Sequence, residues 1–181
     1  MSRLAALALL LGAASAQAEE VFLTEDKAPV ALFGEGAVGR PVKLTLTDPE
    51  LATLSRHLGK RVDQRDYWYL EVKDKAGAPL GMIVELDVIG QSLPIQFAVG
   101  VKPDGTVQDI QVMVYRESHG WEIKDRRFRA QFQGKRASDP LVLGKDIDAI
   151  SGATISSASA AYATRKALAL AEALNARPHA P

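Results

Sequence analysis

Apolar residues recur along this chain in two rhythms, and the rhythm changes at identifiable places. Trp68, Leu70 and Val72 alternate with Tyr69, Glu71 and Lys73, a period of two that predicts a strand. Gly77-Ala78-Pro79 interrupts the run, and a second begins over Met82 to Val88. Ile95, Phe97, Val99 and Val101 alternate next. Pro103-Asp104-Gly105 then makes a turn, and Ile110, Val112 and Val114 resume the alternation, so the pair reads as a hairpin. Four consecutive strands with no helix between them predict an antiparallel sheet with packed helices. The fold class is therefore α+β in a single domain, not a doubly wound α/β fold.

Helical spacing appears on either side of this block. Thr47-Asp48-Pro49-Glu50 is a helix start: Thr47 can cap, Glu50 stands three residues on, and Pro49 suits the first turn. Leu51, Leu54 and Leu58 then follow at i, i+3 and i+7, and Gly59 is a natural stop. His57 on this helix reads as an ordinary surface or capping histidine. Residues 19–46 read as an irregular lead with one or two short strands around Val42 to Leu46. Glu122 to Phe132 reads as a helix built on Ile123, Phe128 and Phe132 and closed by Gly134, and residues 135–153 read as loop. A long Ala-rich helix begins near Ile155, with Ala160, Ala163, Ala167, Leu170 and Leu174 as its buried stripe. Arg177 to Pro181 is expected to be a disordered tail. No internal repeat is evident.

Composition narrows the chemistry. The chain has 181 residues, 22 Lys and Arg against 22 Asp and Glu, and no cysteine. A neutral balance gives no reason to expect a nucleic-acid partner. The lack of cysteine excludes a disulfide scaffold, a thiol nucleophile, an iron–sulfur cluster and a cysteine zinc site. His57, His119 and His179 are too scattered to suggest a histidine metal site. At the start of the chain, Arg3 precedes an apolar run from Leu4 to Leu11, and Ala16-Gln17-Ala18 precedes Glu19-Glu20. That order is the layout of a secretory signal peptide over residues 1–18, cleaved after Ala18. The run is far shorter than the ~20 residues of a membrane span. The expectation is an exported, periplasmic domain over residues 19–176.

One stretch carries more than packing: Asp148-Ala149-Ile150-Ser151-Gly152-Ala153-Thr154-Ile155-Ser156-Ser157. It is a turn of small residues feeding directly into a helix, whose first N–H groups lack internal partners and carry partial positive charge. Gly152 and Ala153 allow close approach of another molecule, so an anion or phosphate fits there. Ser and Thr are also the favoured helix caps, and the residues alone leave both readings open.

The string Asp148…Ser151-Gly152-Ala153-Thr154 resembles the flavinylation motif of the FMN-binding domain family, Asp-x-x-Ser/Thr-Gly-Ala-Thr. That family includes periplasmic subunits of sodium-pumping quinone reductases and of a related ferredoxin-linked membrane complex. The resemblance extends upstream through Asp104-Gly105-x-Val107, Val112 to Glu117-Ser118-x-Gly120, and Phe128-x-x-Gln131-Phe132-x-Gly134-Lys135. It covers roughly residues 80–170. The family's membrane subunits typically carry Glu-Thr-Pro-Gly upstream, where His119 here replaces the proline. They also keep an N-terminal membrane helix where this chain has the signal-peptide pattern, which favours a free-standing carrier over a pump subunit.

The resemblance implies FMN esterified through its phosphate to Thr154, placed there by a separate flavin transferase that uses FAD and Mg²⁺. Asp148 would be recognised by the transferase or orient the loop. Gly152 and Ala153 would leave room for the donor, Ser151 would belong to the cofactor-binding motif, and Ser156 and Ser157 with backbone donors would hold the phosphate's remaining charge. Glu117, Ser118 and Gly120, with Trp121 beside them, would line the flavin, or form an ordinary strand-to-helix turn. His119 would be a flavin donor or a solvated loop histidine. Tyr67-Trp68-Tyr69 reads as core and cross-strand aromatics in preference to a ring-stacking site. Lys124, Arg126, Arg127 and Arg129 would be a solvated face or a dock for an acidic redox partner. The function expected is an electron carrier with a membrane-bound or periplasmic redox partner. The alternatives are a non-redox binding module, in which the Ser/Thr cluster only caps a helix, and a flavin reductase with its own small substrate.

Overall fold

The computed structural model describes residues 19–177, so the expected signal peptide and the tail beyond Arg177 lie outside the described residues. Six strands form one antiparallel sheet. They are β1 (Glu20–Val21), β2 (Val38–Thr45), β3 (Asp66–Lys73), β4 (Pro79–Ile89), β5 (Pro94–Val101) and β6 (Val107–Tyr115), in the spatial order β1-β6-β5-β4-β3-β2. The four central strands are those the alternation predicts, and β2 to β6 each lie beside their neighbours in sequence. The fold is α+β, as the pattern implies.

Both faces of the sheet are covered. On one lies α1 (Ala28–Phe33), whose Ala28 and Leu32 pack with Leu70, Val72, Ile83 and Ala98. On the other lie α2 (Asp48–Leu58) and α4 (Thr154–Asn175), over the larger core built around Phe97, Val99, Ile110 and Phe132. Ala160, Ala163, Ala167 and Leu170 of α4 are each at most 1% exposed. Such small side chains let the helix lie close to the sheet, and this contact fixes where its N-terminus emerges.

The start of α2 follows its sequence signature. The Thr47 N–H and hydroxyl both donate to Glu50 Oε2, at 2.7 and 2.9 Å, and Gly59 closes the helix in the left-handed conformation at φ 63°. His57 Nε2 lies 2.9 Å from Glu172 Oε2, joining α2 to α4.

Three expectations are corrected. The lead over 19–46 carries the expected strand, as β2, but it also holds β1 and the helix α1, which docks its few apolar residues on the second face of the sheet. The helix expected over Glu122 to Phe132 is broken into a 3-10 turn (Trp121–Lys124), the four-residue α3 (Arg126–Arg129) and a second 3-10 turn (Ala130–Phe132). Its apolar spacing still delivers Ile123, Phe128 and Phe132 to the core. Arg177, expected in the disordered tail, is instead held: its Nε donates to Glu50 Oε1 at 2.7 Å and its Nη2 to the Thr45 carbonyl at 2.7 Å.

The alternation in β6 is also misleading at its end. Phe97 pairs with Val112 but Gln96 with Val114, so Met113 is an extra residue, a bulge. Beyond it the phase inverts. Val114 turns to the α1 face, and Tyr115 turns to the α4 face with Val112. The bulge thus aims Tyr115 at the start of α4.

Candidate functional site

Thr154 is the first residue of α4 and is exposed. The residue before it, Ala153, is the N-cap, at φ −125° and ψ 30°, and no side chain caps the helix. The first helical bond runs from the Ser157 N–H to the Ala153 carbonyl at 2.9 Å. The N–H groups of Thr154, Ile155 and Ser156 therefore have no partner among the described residues. Gly152 precedes them at φ +81°, a backbone conformation that side chains other than glycine rarely adopt, and the space around it is open. A cleft of about 230 Å³ lies here, lined by Gln91, Glu117, His119, Gly152, Thr154 and Ser156 among others.

The serines divide. Ser156 is 5% exposed and lines the cleft, with its hydroxyl 2.9 Å from that of Tyr115. Ser157 is fully buried and does not line it. Its hydroxyl donates to the Ala153 carbonyl at 2.9 Å and accepts the Ile150 N–H at 3.2 Å. Ser157 thus ties the turn that leads into the helix, and the expectation that it reaches a phosphate is corrected. Ser151 is exposed in the same turn.

Asp148 is exposed, and its main chain is clamped by Gln131: the Asp148 N–H donates to Gln131 Oε1 at 2.7 Å, and Gln131 Nε2 donates to the Asp148 carbonyl at 3.3 Å. It lines a neighbouring cavity of about 470 Å³ with Glu122, Asp125, Arg127 and Gln131, not the cleft that holds Thr154. The two ends of the motif therefore open onto different surfaces.

Of the upstream segment, Glu117 and Gly120 belong to this end of the molecule and Ser118 does not line the cleft. Glu117 Oε1 accepts the N–H groups of Ser92 and Leu93, at 2.6 and 2.9 Å, so its carboxylate anchors the β4–β5 connection and with it Gln91. Gly120 is buried at φ +94°, and a Cβ there would stand 2.5 Å from Ser156 Oγ. His119 is exposed on the cleft wall. Its carbonyl accepts a hydrogen bond from the Tyr115 hydroxyl. Tyr115 thus holds the loop and the helix together, and burial pushes its phenol above the ordinary range. Nothing in the sequence singles out Tyr115, because the bulge that turns it inward is invisible in the alternation.

The other candidates lie elsewhere. Tyr67 is buried in the core but Trp68 is 61% exposed, because the α1 layer does not reach it. The basic stretch is not one solvated face. Arg129 folds inward onto Asp109, while the Lys124 ammonium lies 4.6 Å from the ring centroid of Trp121. Among the described residues no cluster of His, Asp and Glu could hold a metal ion, and no helix is long and apolar enough to cross a membrane.

Comparison with known proteins adds independent information. A family model described as the FMN-binding domain matches residues 90–169. The chain is 31% identical over 128 residues to a component of the ion-translocating oxidoreductase complex of Methanosarcina acetivorans, an alignment that covers 66% of this chain and 68% of that one. It is 29% identical over 116 residues to a component of the proton-translocating ferredoxin:NAD(+) oxidoreductase complex of Clostridium ljungdahlii, covering 60% and 61% respectively. The crystal structure of Shewanella oneidensis NqrC superposes with a TM-score of 0.52 at 18% identity, over 78% of this chain and 82% of that one, a likeness of fold.

Proposed function

The chain belongs to the FMN-binding domain family, and on that footing we propose that it carries FMN through a phosphoester to Thr154 and relays electrons in a periplasmic, membrane-linked chain. The observation that carries this reading is the uncapped start of α4. Three backbone N–H groups without partners surround an exposed threonine at the mouth of a cleft. A phosphate esterified there would be stabilised by those donors and by the helix dipole. The cap reading of the Ser/Thr cluster lacks this support, because the N-cap is an alanine and no hydroxyl bonds the free N–H groups.

The residues present fit the group. Thr154 would supply the ester oxygen, and the Thr154, Ile155 and Ser156 N–H groups would hold the phosphate. Gly152 leaves the approach open, and Ser156 is fixed on the cleft wall by Tyr115. When bound, FMN supplies one- and two-electron chemistry, and the chain supplies position and electrostatics. A threonine hydroxyl is a weak nucleophile, and no base lies within hydrogen-bonding distance of Thr154 among the described residues. That supports attachment by a separate Mg²⁺-dependent flavin transferase using FAD. Asp148, presented on its own surface by the Gln131 clamp, is a recognition point for that enzyme. The ester keeps the cofactor with an exported protein, where a tether replaces a free pool.

Two relatives named as subunits of ion-translocating or proton-translocating complexes support a membrane-bound redox protein as partner. The signal-peptide pattern over residues 1–18 supports export. The test is coexpression with a flavin transferase, followed by a denaturing gel and N-terminal sequencing. Flavin fluorescence is expected to migrate with the chain in the periplasmic fraction, on a protein beginning at Glu19. Unbound flavin at the gel front would overturn the covalent reading, and an intact Met1 would overturn export.

A further inference from the structure

The broken helix between β6 and the loop before Thr154 places one amide side chain. Phe128 and Phe132 are buried edge to face, with ring centroids 5.4 Å apart. Arg129 is bonded to Asp109 and to the Ile110 carbonyl of β6, and the Gly134 N–H donates to the Val107 carbonyl at 2.9 Å. The segment is therefore fixed on both sides of Gln131. Two rungs join it to the loop. Lys135 Nζ donates to Asp146 Oδ2 at 2.9 Å. Gln131 takes both main-chain groups of Asp148, the N–H at 2.7 Å and the carbonyl at 3.3 Å. One amide thus does what a neighbouring strand would do, supplying an acceptor and a donor to a single residue.

Aspartates in loops commonly turn their side chain back onto nearby main-chain N–H groups. Three others in this chain do so. Asp74 Oδ1 accepts the Ala76 and Ala78 N–H groups, Asp104 Oδ1 that of Thr106, and Asp139 Oδ2 that of Arg136. Asp148 does not. The N–H two residues on, that of Ile150, is taken by Ser157 Oγ, and Gln131 fixes the Asp148 main chain itself. The exposed carboxylate then forms no hydrogen bond and no ion pair among the described residues. Ser157 also donates to the Ala153 carbonyl, so the loop is pinned at both ends. It presents one free carboxylate, at Asp148, and one exposed hydroxyl, at Thr154.

An enzyme that reads the carboxylate and reacts at the hydroxyl needs the two in a fixed relation. In attachment the Thr154 oxygen bonds the FMN phosphorus of FAD, and the pyrophosphate P–O bond breaks. AMP leaves, and the hydroxyl proton is lost to the transferase or to solvent. A loose loop of small residues would have to be ordered at each encounter, which costs affinity. Resting on the reading of Thr154 as the flavin-bearing residue, we propose that Gln131 is a positioning residue for flavin attachment. It acts through Asp148, holding the loop in the form that the transferase recognises. Its effect falls on recognition of the chain and not on the transfer step, because the start of α4 is untouched.

Initial rates of flavin attachment are measured with purified transferase, FAD and Mg²⁺ over a range of concentrations of the flavin-free chain. Gln131→Met keeps the bulk and removes both bonds. It should raise KM about tenfold, as loosening one backbone residue implies, and leave kcat within about twofold of the parent. Gln131→Glu keeps the acceptor and should recover part of the loss. In an Asp148→Asn background Gln131→Met should add little, since it acts through that residue. Without transferase, hydrogen exchange at the Asp148 N–H should be about tenfold faster in Gln131→Met than in the parent. An unchanged KM, a loss confined to kcat, a full further loss in the Asp148→Asn background, or unchanged exchange would overturn the role of Gln131 while the parent still takes flavin. A parent chain that takes no flavin would overturn the reading of Thr154 itself, and this proposal with it.

Discussion

The hydroxyls of Tyr115 and Ser156 lie 2.9 Å apart, joining the last residue of β6 to the first turn of α4. The same phenol donates to the His119 carbonyl, so one side chain sets the loop, the helix start and the cleft between them. Tyr115→Phe removes both bonds but keeps the ring. It is expected to cost about 1–2 kcal/mol, leaving the buried Ser156 hydroxyl unsatisfied. Thermal denaturation measures the loss, and slower flavin attachment at Thr154 should accompany it.

Gly120 faces the same pair. A methyl group there would collide with Ser156 Oγ at 2.5 Å, on a backbone at φ +94°. Gly120→Ala should therefore destabilise by roughly 2 kcal/mol or more, from strain and displacement together. Chemical denaturation of this variant beside Gly134→Ala separates the two causes. Gly134 is also at positive φ but has open space around it, so the second variant should lose less.

Acid should release the C-terminal end of α4. Arg177 and the Thr47 cap hold the Glu50 carboxyl down to about 2 from an ordinary 4.5. A folded-state pKa below the unfolded one contributes stability that is present above pH 4.5 and lost as pH falls toward 2. Glu50→Gln should be less stable at neutral pH, and its stability should fall less steeply across that window. Urea unfolding at a series of pH values reads both effects.

Glu85 should act with the opposite sign. Burial, with Glu25 and Asp87 nearby, raises its carboxyl to about 7 from 4.5, so the native state keeps a proton that the unfolded chain releases. Stability from this group is full below pH 4.5 and declines as pH rises toward 7. Glu85→Gln should match the parent protein in acid and exceed it above neutral pH by roughly 1–2 kcal/mol. Thermal melts at both ends of the range check this.

Much of this architecture is written in local pattern. Thr47 to Gly59 carries its own start and stop, and the strands from Trp68 to Val114 alternate because successive side chains meet different layers, α1 on one face of the sheet and α2 with α4 on the other. The features that shape the site are less visible. The Met113 bulge inverts the phase of β6 through pairing with β5, a non-local event that leaves Ile110, Val112 and Val114 looking regular in sequence. Ser157 looks like any serine of the motif, and only the fold shows its hydroxyl turned back to the Ile150 N–H. The position of Thr154 at a helix start is legible because the small residues before it and the helix after it are contiguous.

The most direct measurement is the intact mass of the chain produced with and without an active flavin transferase. A gain of one FMN less one water is expected only with the transferase, mapped to the peptide containing Thr154 and absent from Thr154→Ala. An unchanged mass beside an active transferase, or the same gain in Thr154→Ala, would contradict the assignment of Thr154 as the flavin-bearing residue.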